Sequence, residues 1–131
     1  MYVIYYDPGC VYSIVCLAIL RSKRVNYKKV KYLKEPLTLE VIQDLVKKLN
    51  ISAVDLIRQD HPDWKNCYKD LDLTEEEVIH LLLENHGLIT RPIIVNGDQA
   101  VIGRPPKKVI SLINKGTNCV TDYTNKNTIL S

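Results

Sequence analysis

Cys10 stands where a short apolar run, Tyr2 to Tyr6, is cut by Asp7-Pro8-Gly9 and a helical pattern begins at Val11. A cysteine at such a strand-to-helix junction faces the unpaired N–H groups and the positive end of the helix. Both favour thiolate over thiol and pull the pKa below the free value of about 8.5. Ser13, three residues on, can hydrogen-bond the sulfur from the first turn. The chemistry this arrangement allows is nucleophilic attack by sulfur. The plainer reading, a small buried residue capping a helix, has the lesser weight at this position. Cys16, set among Val15, Leu17 and Ala18, reads as core.

Arg58, Arg91 and Arg104 form the second candidate set: Arg58 ends a helical stretch, Arg91 precedes Pro92, and Arg104 precedes Pro105. A guanidinium fork matches tetrahedral oxyanions such as phosphate, sulfate or arsenate, and its fixed charge also favours a neighbouring thiolate. Taken singly each arginine reads as a solvated surface residue, and spacing alone does not bring them together. His61, His80 and His86 lack metal-type spacing and read as surface or helix-end residues, so no metal is expected. The four cysteines, Cys10, Cys16, Cys67 and Cys119, contain no CxxC pair. The opening MYVIYYDPGC does not read as a signal peptide, so free thiols in a cytoplasmic protein are expected, with Cys67 and Cys119 not resolving cysteines.

The elements that must position these residues follow from periodicity. Tyr2–Tyr6 reads as a strand, Val11–Lys23 as a helix packed through Val11, Ile14, Val15, Ala18 and Ile19, and Asn26–Tyr32 as a second, parallel strand. Lys28, Lys29 and Lys31 fall on its wet face. Thr38 opens a helix with the stripe Val41, Ile42, Leu45, Val46 and Leu49; Ser52–Ile57 is a helical turn, and Gln59–Asp72 a loop with room for one helical turn. Thr74 and Glu77 form a capping box for a helix that closes at His86-Gly87. A hairpin follows, Ile93–Val95 and Gln99–Ile102 around an Asn96-Gly97 type I′ turn. Pro105-Pro106 starts a last helix that Gly116 stops.

The order β-α-β … β-β-α is that of an α/β, thioredoxin-like four-stranded mixed sheet with a helical insertion. It implies one domain over residues 1–116, the insertion at about 36–87, and a polar tail at 117–131. On such a fold Arg91–Pro92 would be the cis bond that faces the reactive cysteine. A length of 131 residues, 46% hydrophobic, suits a single domain with its own core and a monomer. Eighteen basic residues against fifteen acidic, scattered along the chain, exclude a nucleic-acid footprint, and no apolar run is long enough for a membrane span.

Cys10 after its short strand, Val54-Asp55-Leu56-Ile57-Arg58, Leu88-Ile89-Thr90-Arg91-Pro92-Ile93-Ile94-Val95 and Ile102-Gly103-Arg104-Pro105-Pro106 together resemble the glutaredoxin-linked arsenate reductase family. With the Spx regulators, that family forms one branch of the thioredoxin-like proteins. The resemblance runs from about Tyr2 to Ile113. It implies that Cys10 attacks arsenate while Arg58, Arg91 and Arg104 bind the oxyanion. Glutathione is then the co-substrate, glutaredoxin the partner that reduces the mixed disulfide, and no bound cofactor is needed. The chain departs from the family where Gly-Thr-Ser-Arg becomes Val11-Tyr12-Ser13-Ile14, keeping only Ser13, and where a His-Asn pair becomes Tyr6-Asp7. Asp7 is expected to raise the Cys10 pKa, and Tyr12 to narrow the oxyanion site. Two alternatives stand beside this reading. One is an Spx-like regulator binding RNA polymerase, though Ser13 removes the second cysteine of that branch's CxxC switch. The other is a glutathione-dependent thiol reductase with another substrate.

Overall fold

The alternation of Tyr2–Tyr6 (β1) puts Ile4 and Tyr6 on one face of a sheet and Val3 and Tyr5 on the other. The computed structural model describes residues 1–121. In it β1 lies between Tyr27–Lys31 (β2), to which it is parallel, and Ile93–Asn96 (β3), to which it is antiparallel. Gln99–Ile102 (β4) completes a four-stranded mixed sheet of order β2-β1-β3-β4. Ile4 pairs with Ile94 across the centre, so one face is continuous from strand to strand. Val11–Ser22 (α1) and Lys107–Thr121 (α4) cover that face. Leu39–Leu49 (α2) and Glu75–Glu84 (α3) cover the opposite face, where Ile93 and Val95 point. The thioredoxin-like α/β architecture is therefore as the element order implied. Lys28, Lys29 and Lys31 are exposed on β2, where charge discourages further strand pairing at the open edge.

The helix starts follow their caps. The Thr38 hydroxyl accepts the Val41 N–H at 3.2 Å. Thr74 and Glu77 close the expected capping box, with bonds of 2.8 and 3.2 Å. Between α2 and α3 the chain makes a 3₁₀ turn at Ala53–Leu56 and a single π-turn at Trp64–Tyr68, where the sequence suggested a helical turn and then a loop with room for one more.

Four local expectations are corrected. First, α1 buries Ser13, Cys16, Leu17 and Leu20, while Val11, Ile14, Val15 and Ala18 are exposed. The helix is apolar on nearly every side, so periodicity could not choose its rotation. Small side chains at 13 and 16 choose it by allowing close approach, and the Ser13 hydroxyl accepts the Asp7 N–H at 3.3 Å. Second, α3 ends at Glu84 with Asn85 as its C-cap, and Gly87 belongs to a 3₁₀ turn, His86–Leu88, held by the Leu88 N–H to Asn85 carbonyl bond. Third, the hairpin register pairs Asn96 with Gln99, so the turn is Gly97-Asp98. Gly97 at φ 66° takes the first central position, the pattern of a type II′ turn. Fourth, α4 begins at Lys107 and passes through Gly116 to Thr121. The rest of the expected tail lies outside the described residues.

One glycine is required by close approach. A Cβ on Gly103 would lie 2.5 Å from Cys16 Sγ and 2.9 Å from Pro92 Cγ. The Gly103 N–H donates to the Pro92 carbonyl at 2.9 Å, and the Cys16 thiol donates to the Gly103 carbonyl at 3.7 Å. The loop after β4 is thus pressed onto α1 immediately before Arg104. Gly103→Ala is expected to cost about 1–3 kcal/mol through overpacking, read as a lower urea midpoint with an unchanged m-value.

Candidate active site

Cys10 is the N-cap of α1, with φ −104° and ψ 123°, and its own N–H is tied back to the Asp7 carbonyl at 3.0 Å. The tight Asp7–Cys10 turn delivers the sulfur to the N–H groups of the first helical turn. Burial pushes the Cys10 thiol up, but the Ser13 N–H and hydroxyl, the Tyr12 N–H and the Arg104 charge pull it down further, and the net result is a lowered pKa. Cys16, within the core under the same helix, is pushed up to about 11 by burial, with a further contribution from the neighbouring Cys10 charge. One helix therefore carries an activated thiol at its mouth and an inert one in its packed face.

Arg104 is fixed at three points. Its Nη2 donates to Cys10 Sγ at 3.5 Å, its Nε donates to the Arg91 carbonyl at 2.6 Å, and its guanidinium lies 4.4 Å over the Tyr12 ring. The bulk of Tyr12, expected only to narrow the site, forms a platform that orients this arginine. Arg91 is mostly buried. Its Nη2 meets Asp7 Oδ2 at 3.1 Å, and its Nε is buried without a hydrogen-bond partner. Tyr32, Asp7 and Cys10 all interact with its guanidinium. Tyr32, just beyond β2, is buried and donates its hydroxyl to the Ile89 carbonyl at 3.0 Å. Burial raises its pKa against the lowering effect of Arg91.

Arg58 takes a different place from its two companions. Its Nη1 donates to the Gly87 carbonyl at 3.5 Å, and its charge acts on Tyr32. No hydrogen bond among the described residues joins it to Cys10. The structure thus gathers Cys10, Ser13, Arg91 and Arg104, while Arg58 touches this group through its charge on Tyr32. The Arg91–Pro92 bond is cis, as the fold implied, and Arg104–Pro105 is cis as well. The Asp7 carboxylate, expected to raise the Cys10 pKa, is held by Arg91 and by the Gly9 N–H at 3.0 Å, and the net Cys10 pKa is lowered with it in place. Sequence reasoning missed two partners. Tyr32 looked like the end of an alternating strand, and Asp7 was read only against Cys10, not as the partner of Arg91. Among the described residues no group of three or more His, Cys, Asp or Glu side chains could hold a metal ion.

The ArsC family model matches residues 21–112, a span that contains Arg58, Arg91 and Arg104 and begins after Cys10. The chain belongs to the ArsC family. An arsenate reductase of Haemophilus influenzae is 35% identical over 113 residues, covering 85% of this chain and 97% of that protein. An arsenate reductase structure from Vibrio cholerae superposes with a TM-score of 0.79 at 30% identity, over 84% of this chain and 95% of its own. The global transcriptional regulator Spx of Listeria innocua is 26% identical over 104 residues, 79% of each chain. Both halves of the branch, reductase and regulator, are therefore similar to this ArsC-family chain.

The site's electrostatics give a direct expectation. In iodoacetamide labelling followed by peptide mapping, Cys10 should react as a thiolate well below the pH at which a free cysteine does, while Cys16 stays unlabelled in the folded chain. Arg104→Ala removes a positive charge from beside the sulfur, so the Cys10 profile should move to higher pH. The rate at pH 6.5 should fall by roughly threefold to tenfold.

Proposed function

We propose that this ArsC-family chain is a thiol oxidoreductase that reduces an oxyanion, arsenate being the substrate the site suits best, with glutathione and glutaredoxin as reductants. The observation that carries the reading is the pairing of two arginines at one sulfur. Arg104 Nη2 lies 3.5 Å from Cys10 Sγ, and beside it Arg91 keeps a buried N–H with no partner. A lowered-pKa sulfur between two guanidinium groups is a nucleophile placed where a tetrahedral anion would be bound.

In this reading the Cys10 thiolate attacks arsenic, an S–As(V) bond forms, and one arsenate oxygen takes up protons and leaves as water. Arg91 and Arg104 offset the negative charge of the adduct. A glutathione thiolate then attacks the Cys10 sulfur. As the S–S bond forms the S–As bond breaks, and its electron pair passes to arsenic, which leaves as arsenite. Glutaredoxin takes the glutathionyl group by thiol–disulfide exchange and frees Cys10. A reducing, cytoplasmic setting supplies both thiols. No helix among the described residues is long and apolar enough to cross a membrane.

The test is arsenate-dependent NADPH consumption coupled through glutathione, glutaredoxin and glutathione reductase. Wild type should turn over, Cys10→Ser should be inactive, and Arg104→Ala should lose roughly 10²–10³-fold in kcat/KM, the usual loss for one preorganised anion donor. Absence of turnover in wild type, with Cys10 still accepting glutathione, would point to another substrate. A second reading, a regulator that binds RNA polymerase, draws on Val11, Ile14 and Val15, apolar side chains exposed on α1 beside Cys10. Binding of purified polymerase that is lost in Ile14→Glu would favour it.

A further inference from the structure

The guanidinium edge that carries Nε and Nη2 is the one that takes two oxygens of a carboxylate or tetrahedral anion side by side. In Arg91 that edge is half used: Nη2 meets Asp7 Oδ2 at 3.1 Å, while Nε is buried and unpaired. A single carboxylate oxygen has engaged a two-donor edge. The cause is on the other side of Asp7. Its Oδ1 accepts the Gly9 N–H at 3.0 Å, and this turn bond fixes the carboxylate with only one oxygen free to face the arginine. Both partners are largely shielded, with side-chain exposures of 12% for Arg91 and 18% for Asp7, so water screens the pair little.

We propose that Asp7 is a specificity-determining residue that acts as a built-in competitor for the oxyanion. Resting on the oxyanion reading above, it holds the anion-binding edge of Arg91 until a ligand with two adjacent oxygens displaces it. Charge makes the same point. With Cys10 as thiolate, Asp7 cancels one of the two positive charges contributed by Arg91 and Arg104, so the unliganded site carries no net positive charge. An incoming anion must outcompete the carboxylate, and weakly basic or singly bonding anions are rejected. Discrimination then comes from an unfavourable element that only the right ligand overcomes.

The test uses the full chain and three probes: arsenate, phosphate and sulfate. Each is titrated as a protectant of Cys10 against iodoacetamide, followed by peptide mapping. Asp7→Asn keeps an oxygen for the Gly9 N–H and removes the charge; Asp7→Ser keeps a short turn-forming acceptor and is the second variant should the first fold poorly. Half-protection is expected at about tenfold lower arsenate in either variant, with a larger proportional gain for sulfate, so that the preference among anions narrows. In an Arg91→Lys background, where the two-donor edge is absent, Asp7→Asn should give no comparable gain. Equal half-protection in wild type and both Asp7 variants would overturn the role of Asp7 and leave the oxyanion site standing. No protection by any probe in any variant would remove the oxyanion reading itself, and this inference with it.

Discussion

The hydrogen bond from Arg104 Nε to the Arg91 carbonyl, 2.6 Å long, is the constraint on which the site depends. It joins the segment entering β3 to the segment leaving β4, and it aims the rest of the guanidinium at the first turn of α1. Because one donor is committed to backbone, the remaining donors cannot wander, and Nη2 remains at the Cys10 sulfur. The Tyr12 ring closes the other side. A flexible side chain is thereby held in one pose by backbone, sulfur and aromatic face. This is the preorganisation an electrostatic site requires, since donors already in place do not have to reorganise when charge develops.

The fold serves that arrangement through close contacts. α1 packs near the sheet because Ser13 and Cys16 are small, and the β4–α4 loop packs against α1 because Gly103 has no side chain. A larger residue at any of these positions would move the sulfur relative to the arginines. The insertion with α2 and α3 contributes at one remove. It covers the far face of the sheet and supplies Arg58, whose charge reaches the centre through Tyr32.

Most of the architecture was legible in the sequence because its signals are local. The apolar Tyr2–Tyr6 run cut by Asp-Pro-Gly, the Thr74–Glu77 capping box and the β-β-α ending each rest on residues close together in the chain. Cys10 at the strand-to-helix junction was legible for the same reason. What could not be read was rotation and convergence. α1 is apolar on almost every face, so its inward side was decided by contacts with residues far away in sequence, near positions 7 and 103. The charge of Asp7 looked like a local perturbation of Cys10, and only the fold brings Arg91 to it across more than eighty residues. Arg58 looked equivalent to its two companions, yet its hydrogen bond goes to Gly87 and its charge acts on Tyr32.

The burial of Cys16 has a consequence for electron flow. It lies six positions on from Cys10 along α1, an axial rise of about 9 Å, beyond the roughly 7 Å limit between α-carbons in a disulfide. Cys16 is also hydrogen-bonded to Gly103 and raised to about 11, so it offers little thiolate for exchange. An oxidised Cys10 therefore finds no resolving partner on its own helix. Within α1 no thiol can free it, so a thiol arriving from elsewhere must do so, and the lifetime of the oxidised state then follows the supply of that thiol rather than a clock built into the helix.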